Sequence, residues 1–158
     1  MLKATKIFAV LLMVMTGSVV FGQCPSAEKM GKGKGGYGVN SQSKTGALLT
    51  GQSYEMSFIA QEGMDYRITV GTIVPDRGEV SFEVYEMVSE KDDNGAYKKV
   101  KKVIISSADA ESNTVEFITD KARKLMISVS YEGSDDESKK PECVAVLIED
   151  KKTTKIGY

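Results

Sequence analysis

The chain has 158 residues, 21 lysines and arginines against 22 aspartates and glutamates, a formal net charge of -1, and no histidine. So even a balance carries no strong field of one sign, which argues against nucleic acid as a partner. The lack of histidine removes the commonest general base, a frequent metal ligand and most nucleophilic triads.

The first segment is built for export. Lys3 and Lys6 make a short positive region with no acid, Ile7 to Met15 form an unbroken apolar run, and Thr16-Gly17-Ser18 interrupts it before Val19-Val20-Phe21-Gly22. Charge, apolar stretch and small residue, in that order, mark a secretory signal. The run is shorter than the roughly 18 to 20 residues of a membrane-spanning helix. Val20 and Gly22, at positions minus three and minus one, predict cleavage before Gln23. A lipoprotein would need a small residue before Cys24, where Gln23 stands. The mature chain is then one domain, large enough to bury a real core.

Residues 23–45 read as an irregular, glycine-rich lead-in, with Gly31-Lys32-Gly33-Lys34-Gly35-Gly36 at its centre and no apolar period. From residue 46 the pattern turns to period two. Tyr54, Met56, Phe58 and Ala60 alternate with polar neighbours, and so do Tyr66, Ile68 and Val70, which predicts consecutive strands joined at Gln61-Glu62-Gly63. Pro75-Asp76-Arg77-Gly78 is a turn. Val80, Phe82 and Val84 form the next inward row, opposed by Ser81, Glu83 and Tyr85. Asp92-Asp93-Asn94-Gly95 marks a hairpin, its Asn-Gly pair suited to positive φ. The returning strand, Tyr97 to Ile105, is dense in lysine in its first half, as edge strands are when they are protected against pairing. Thr114 to Thr119 and Leu125 to Tyr131 follow. Cys143 to Ile148 is apolar throughout and reads as a central strand. Residues 151–158 form a polar tail.

These seven or eight strands, at sandwich-like spacing with no convincing helix after the signal, predict an all-β, jelly-roll-like antiparallel sandwich over 46–150, with a closed barrel as the competing architecture. Cys24 and Cys143 are an even pair in an oxidising compartment, so a disulfide is expected to staple the start of the mature chain to the last strand.

No catalytic residue, metal ligand or cofactor site is assigned. The glycine-rich run lacks the preceding strand and following helix of a phosphate loop. Asp65, Glu79, Glu83, Glu86, Glu116 and Glu142 are the acids in or near strands from which a glycan hydrolase would draw a pair. Asp92, Asp93 and Asn94, and Asp135, Asp136 and Glu137, are oxygen-rich turns without the spacing of a calcium loop. Tyr37, Tyr85, Tyr97 and Tyr131 are the aromatic candidates for stacking a sugar. Lys98, Lys99, Lys101 and Lys102 would meet an anionic surface if they do more than guard an edge.

Gly36-Tyr37-Gly38-Val39-Asn40-Ser41-Gln42-Ser43-Lys44-Thr45-Gly46 before Asp65-Tyr66-Arg67-Ile68, with Cys143-Val144-Ala145-Val146-Leu147-Ile148-Glu149-Asp150 and Lys155-Ile156-Gly157-Tyr158 near the end, resembles small secreted proteins of Bacteroidetes-type bacteria. Leu49 to Phe58 followed by Asp65-Tyr66-Arg67-Ile68-Thr69-Val70 is similar, more distantly, to the opening strands of the pre-peptidase C-terminal type of β-sandwich. The first resemblance implies an exported protein. The second implies an accessory module of secreted enzymes. Together with the residues, they give an expectation of a periplasmic or extracellular, non-enzymatic binding or envelope-associated module. Its partner would be a protein or glycan at the cell envelope. A carboxylate-dependent hydrolase and a structural or adhesive subunit are the alternatives.

Overall fold

The computed structural model describes residues 24–31, 33, 35–110, 112–133 and 140–154. The expected signal segment, the second acidic turn at Asp135-Asp136-Glu137 and the last four residues of the tail lie outside the described residues. Among those described are nine strands: β1 Gly38–Val39, β2 Lys44–Leu48, β3 Ser53–Ala60, β4 Met64–Thr72, β5 Gly78–Lys91, β6 Tyr97–Ser106, β7 Thr114–Thr119, β8 Arg123–Gly133 and β9 Glu142–Lys152. A 3-10 turn, Ala27–Met30, precedes them. No helix of the described residues is long and apolar enough to cross a membrane.

The strands form two antiparallel sheets. One runs β1-β9-β4-β7, with β2 beside β1 on the same flank of β9, and the other runs β3-β8-β5-β6. Taking β1 and β2 as one interrupted edge, each sheet has four positions, and the chain passes from sheet to sheet in jelly-roll order. The short link at Gln61-Glu62-Gly63 is therefore a corner between sheets rather than a hairpin. Gly63 N–H donates to Thr119 O at 2.9 Å, and Gln61 N–H donates to the Tyr66 hydroxyl at 2.8 Å. At the next corner only glycine fits position 78. Its φ is +138°, and a Cβ there would stand 2.6 Å from the Glu132 carbonyl oxygen.

The inward rows are the alternating residues. Met56, Phe58, Tyr66, Ile68, Val70, Phe82, Val84, Leu125, Ile127, Val129, Val144, Val146 and Ile148 all belong to one buried cluster. Nine strands among the described residues replace the expected seven or eight because β1 arises within the polar stretch and β2 across its end. They are short, and their backbone pairs with β9 whatever their side chains offer. The last strand likewise runs two residues into the expected tail, to Lys152.

Strand β9 is central and covered on both faces. Its inward residues meet the core. Outward, Ala145 and Leu147 pack with Ala27, Met30, Val39 and Ile73. The N-terminal segment thus lies across the outer face of this sheet, held by the Cys24–Cys143 disulfide, whose Cα atoms are 5.5 Å apart. This second cover explains why β9 reads as a continuous apolar run instead of alternating.

One core polar group stands out. Tyr54, on β3, packs against Gly46 of β2, and its hydroxyl is buried with no hydrogen-bond partner among the described residues. Burial pushes its pKa up to about 12. In the unfolded chain a tyrosine ionises from about pH 10, so the unfolded state releases that proton first, and stability falls as pH rises from about 10 to 12. Tyr54→Phe is expected to leave stability at pH 7 unchanged or to raise it by up to about 1 kcal/mol, and to soften the alkaline decline. Urea denaturation across this pH range measures both. A loss above about 1 kcal/mol at pH 7 would show that the hydroxyl is satisfied after all.

Candidate interaction surface

The acids named from sequence are divided between the two sheets. Asp65 and Glu116 lie on the outer face of the β9-β4-β7 sheet, beside Lys151 (4.0 Å) and Arg67 (2.7 Å) respectively. Glu79 and Glu83 lie on the outer face of the other sheet, where Glu83 meets Lys101 at 2.6 Å. Glu86, just past the β5–β8 pairing, lies 3.8 Å from Arg123, and Glu142 begins β9. In the first acidic turn the Asp92 carboxylate accepts from the Asn94 and Ala96 N–H groups, a turn-closing role. Only Gly95 there has positive φ (+79°), so the loop is a three-residue turn with a glycine bulge rather than the two-residue Asn-Gly form.

The four tyrosines divide. Tyr131 is buried and donates to the Arg77 carbonyl at 2.6 Å. Tyr85 is buried on the outer face of its sheet, with the Lys101 ammonium 4.3 Å from its ring centre. Tyr37 is covered by two cations, Arg67 at 4.0 Å and Lys151 at 4.2 Å. Only Tyr97 is broadly open, at 73% exposure.

Cross-strand register explains the Tyr37 cluster, which sequence reading missed. Arg67 on β4 stands opposite Glu116 on β7 and Glu149 on β9. Its charge is reinforced by the hydrogen bond to Glu116, which raises its pKa against the opposing effect of burial. Glu149 is buried beneath the lead-in, where the Gly33 N–H donates to its carboxylate. A cleft of about 170 Å³ between Met30, Gly33, Arg67 and Glu149 remains. Gly33 therefore gives its backbone N–H to a carboxylate of this chain, so that donor is already taken, and the segment there lies over the sheet.

The other sheet extends past the sandwich. β5 pairs with β8 only from Gly78 to Tyr85, whereas its pairing with β6 continues to Lys91↔Tyr97. Beyond Tyr85 the two strands form a ribbon roughly 20 Å long. The root of this hairpin is pinned. The Tyr85 hydroxyl donates to Glu55 of β3 at 2.7 Å, and that hydrogen bond, with burial, raises the tyrosine's pKa. Lys101 joins the same cluster through Glu83 and the Tyr85 ring.

The ribbon's two faces differ. The pairs Met87↔Lys101, Ser89↔Lys99 and Lys91↔Tyr97 share one face, and Glu86↔Lys102, Val88↔Val100 and Glu90↔Lys98 the other. The second face matches each lysine with a glutamate. The first carries three lysines, of which Lys101 pairs with Glu83 at the root, and exposed Met87 and Tyr97. Val103, at its root, is 45% exposed. The lysines named from sequence thus sit on a true edge strand. The apolar side chains beside them were invisible until pairing placed them on one face.

No protein-family profile and no curated protein matches the chain. Among solved structures it is similar to Aeromonas hydrophila PliG, a periplasmic lysozyme inhibitor of g-type lysozyme. The TM-score is 0.40 at 13% sequence identity, and the alignment covers 72% of this chain and 86% of that one.

Proposed function

We propose that the protein is an exported, non-enzymatic binding module that holds a protein partner through the β5–β6 hairpin. The observation that carries this reading is the hairpin itself: a pinned, two-stranded ribbon that leaves the sandwich and presents Met87, Tyr97 and Val103 to solvent. Exposed apolar side chains grouped on a projecting element are what a partner surface needs and what a folded monomer otherwise avoids. Export is supported by the signal-like opening of the chain and by the disulfide, a bond that persists in oxidising compartments. The acids, divided between the two sheets and four of them beside cations, favour binding over hydrolysis.

The test is a shortened hairpin. Replacing residues 89–99 by Asn-Gly closes the ribbon at the Val88↔Val100 pair with a two-residue turn. The intact exported protein, immobilised, is expected to retain a partner from envelope extract that the shortened form releases, with thermal midpoints of the two alike. Purified g-type lysozyme is run alongside as one defined candidate. Equal retention by both forms would move the binding surface elsewhere.

A further inference from the structure

We infer that the partner contributes an acidic, extended segment that adds as a strand to the free edge of β6. The inference rests on the reading of the hairpin as the contact element and specifies how that contact is made.

The backbone supplies the first half of the argument. Asp92 N–H donates to the Ala96 carbonyl at 2.8 Å, which makes this the last hydrogen-bonded pair of the hairpin. Hydrogen-bonded and open pairs alternate along an antiparallel ladder. Lys91↔Tyr97, Ser89↔Lys99 and Met87↔Lys101 are therefore the open pairs. At Tyr97, Lys99 and Lys101 the N–H and C=O groups point away from β5, on the side where β6 has no sheet neighbour. They form a template for another strand.

The other edges are managed differently. On β3, the Gln42 side-chain amide accepts from Ile59 N–H at 2.8 Å and donates to Ile59 O at 3.2 Å, so a side chain occupies the place of a strand. β7 has six residues and β2 five, against ten in β6.

Charge supplies the second half. Lys98 and Lys102 flank the template on one face, Lys99 and Lys101 on the other. Two copies of β6 laid edge to edge about Val100 would set lysine against lysine, which disfavours a second copy of this chain. A strand with alternating acids sets them all on one face, where they meet Lys99 and Lys101 or Lys98 and Lys102, and its apolar side chains fall on the other, beside Val100 or Tyr97 respectively. Edge lysines that guard against self-pairing thus select an acidic strand.

The probe is a blocked synthetic peptide of alternating valine and glutamate. Controls are its valine–lysine counterpart and a version with a central proline. On saturation with the acidic peptide, amide exchange at Tyr97, Lys99 and Lys101 is expected to slow roughly tenfold or more. The two controls are expected to bind at least about tenfold more weakly. Lys99→Pro removes one outward N–H that β5 does not use and is expected to abolish binding. A second variant with Lys98, Lys99, Lys101 and Lys102 all changed to Gln keeps the backbone and is expected to lose about tenfold or more in affinity.

Absence of peptide binding, binding without amide protection, or equal binding by both variants would overturn strand addition. Binding only to anionic phosphatidylglycerol vesicles would overturn it in favour of a membrane surface. A partner lost by the shortened hairpin but retained by both Lys99→Pro and the four-fold Gln variant would leave the hairpin reading standing and remove only this inference.

Discussion

Replacing Cys24 and Cys143 together by serine is expected to lower the stability of the domain by about 4 to 5 kcal/mol. The bridge joins residues 119 positions apart, so its loss frees a loop containing almost the whole fold. In the chain-entropy account the unfolded state gains that freedom, and the cost rises slowly with loop length. A domain of this size has only about 5 to 15 kcal/mol in all. The effect also has a location. Ala27 and Met30 cover Ala145 and Leu147 only while the N-terminal segment lies on the sheet. Urea denaturation of the oxidised wild type against the double serine variant measures the total. Limited proteolysis within residues 24–37 measures the local part. A loss below about 1 kcal/mol, with the segment still protected, would show that packing alone holds the cover.

Tyr66→Ala is expected to cost about 3 to 5 kcal/mol, and Tyr66→Phe only about 1. The ring is 1% exposed and sits between Phe58 and Phe117, with centroids 5.7 Å away on each side. It therefore joins β3, β4 and β7 across both sheets. The hydroxyl accepts from Gln61 N–H and fixes the β3–β4 corner. Truncation leaves a cavity where the two sheets meet, whereas phenylalanine keeps the packing and loses one corner bond. Equal costs for the two substitutions would mean that the corner bond, and not the ring, dominates.

Much of the fold was legible in the alternation of side chains. β3, β4, the first half of β5 and β8 each bury one row and leave most of the other partly or fully open, and period two is the direct signature of that arrangement. The unbroken apolar run at Cys143 to Ile148 identified the central strand, and Lys98 to Lys102 identified an edge. β1 and β2 were not legible because backbone pairing leaves no mark on polar side chains. Nor could alternation show that β3 and β4 belong to different sheets, since a corner and a hairpin use the same few turn residues.

The candidate surface was half legible for a related reason. The lysines were visible as a cluster. That Met87, Lys101, Lys99 and Tyr97 share a face depends on register, and register depends on the bulge between Val84 and Tyr85. The Glu116–Arg67–Glu149 row is likewise assembled from three strands far apart in the chain. Glu149 follows the apolar run Cys143 to Ile148, and nothing near it in sequence announces the glycine-rich cover that buries it.

The position of β9 has a consequence for the order of folding. It stands between the β1–β2 edge and β4, so one sheet has no middle until the last of the nine strands arrives. The covalent tie to residue 24 has to wait for that strand as well. A ribosome-bound chain has neither, and its earlier strands lack the partners that would close the core. The topology thus postpones closure of that sheet until β9 has been made, and the strands before it stay open to other contacts for longer.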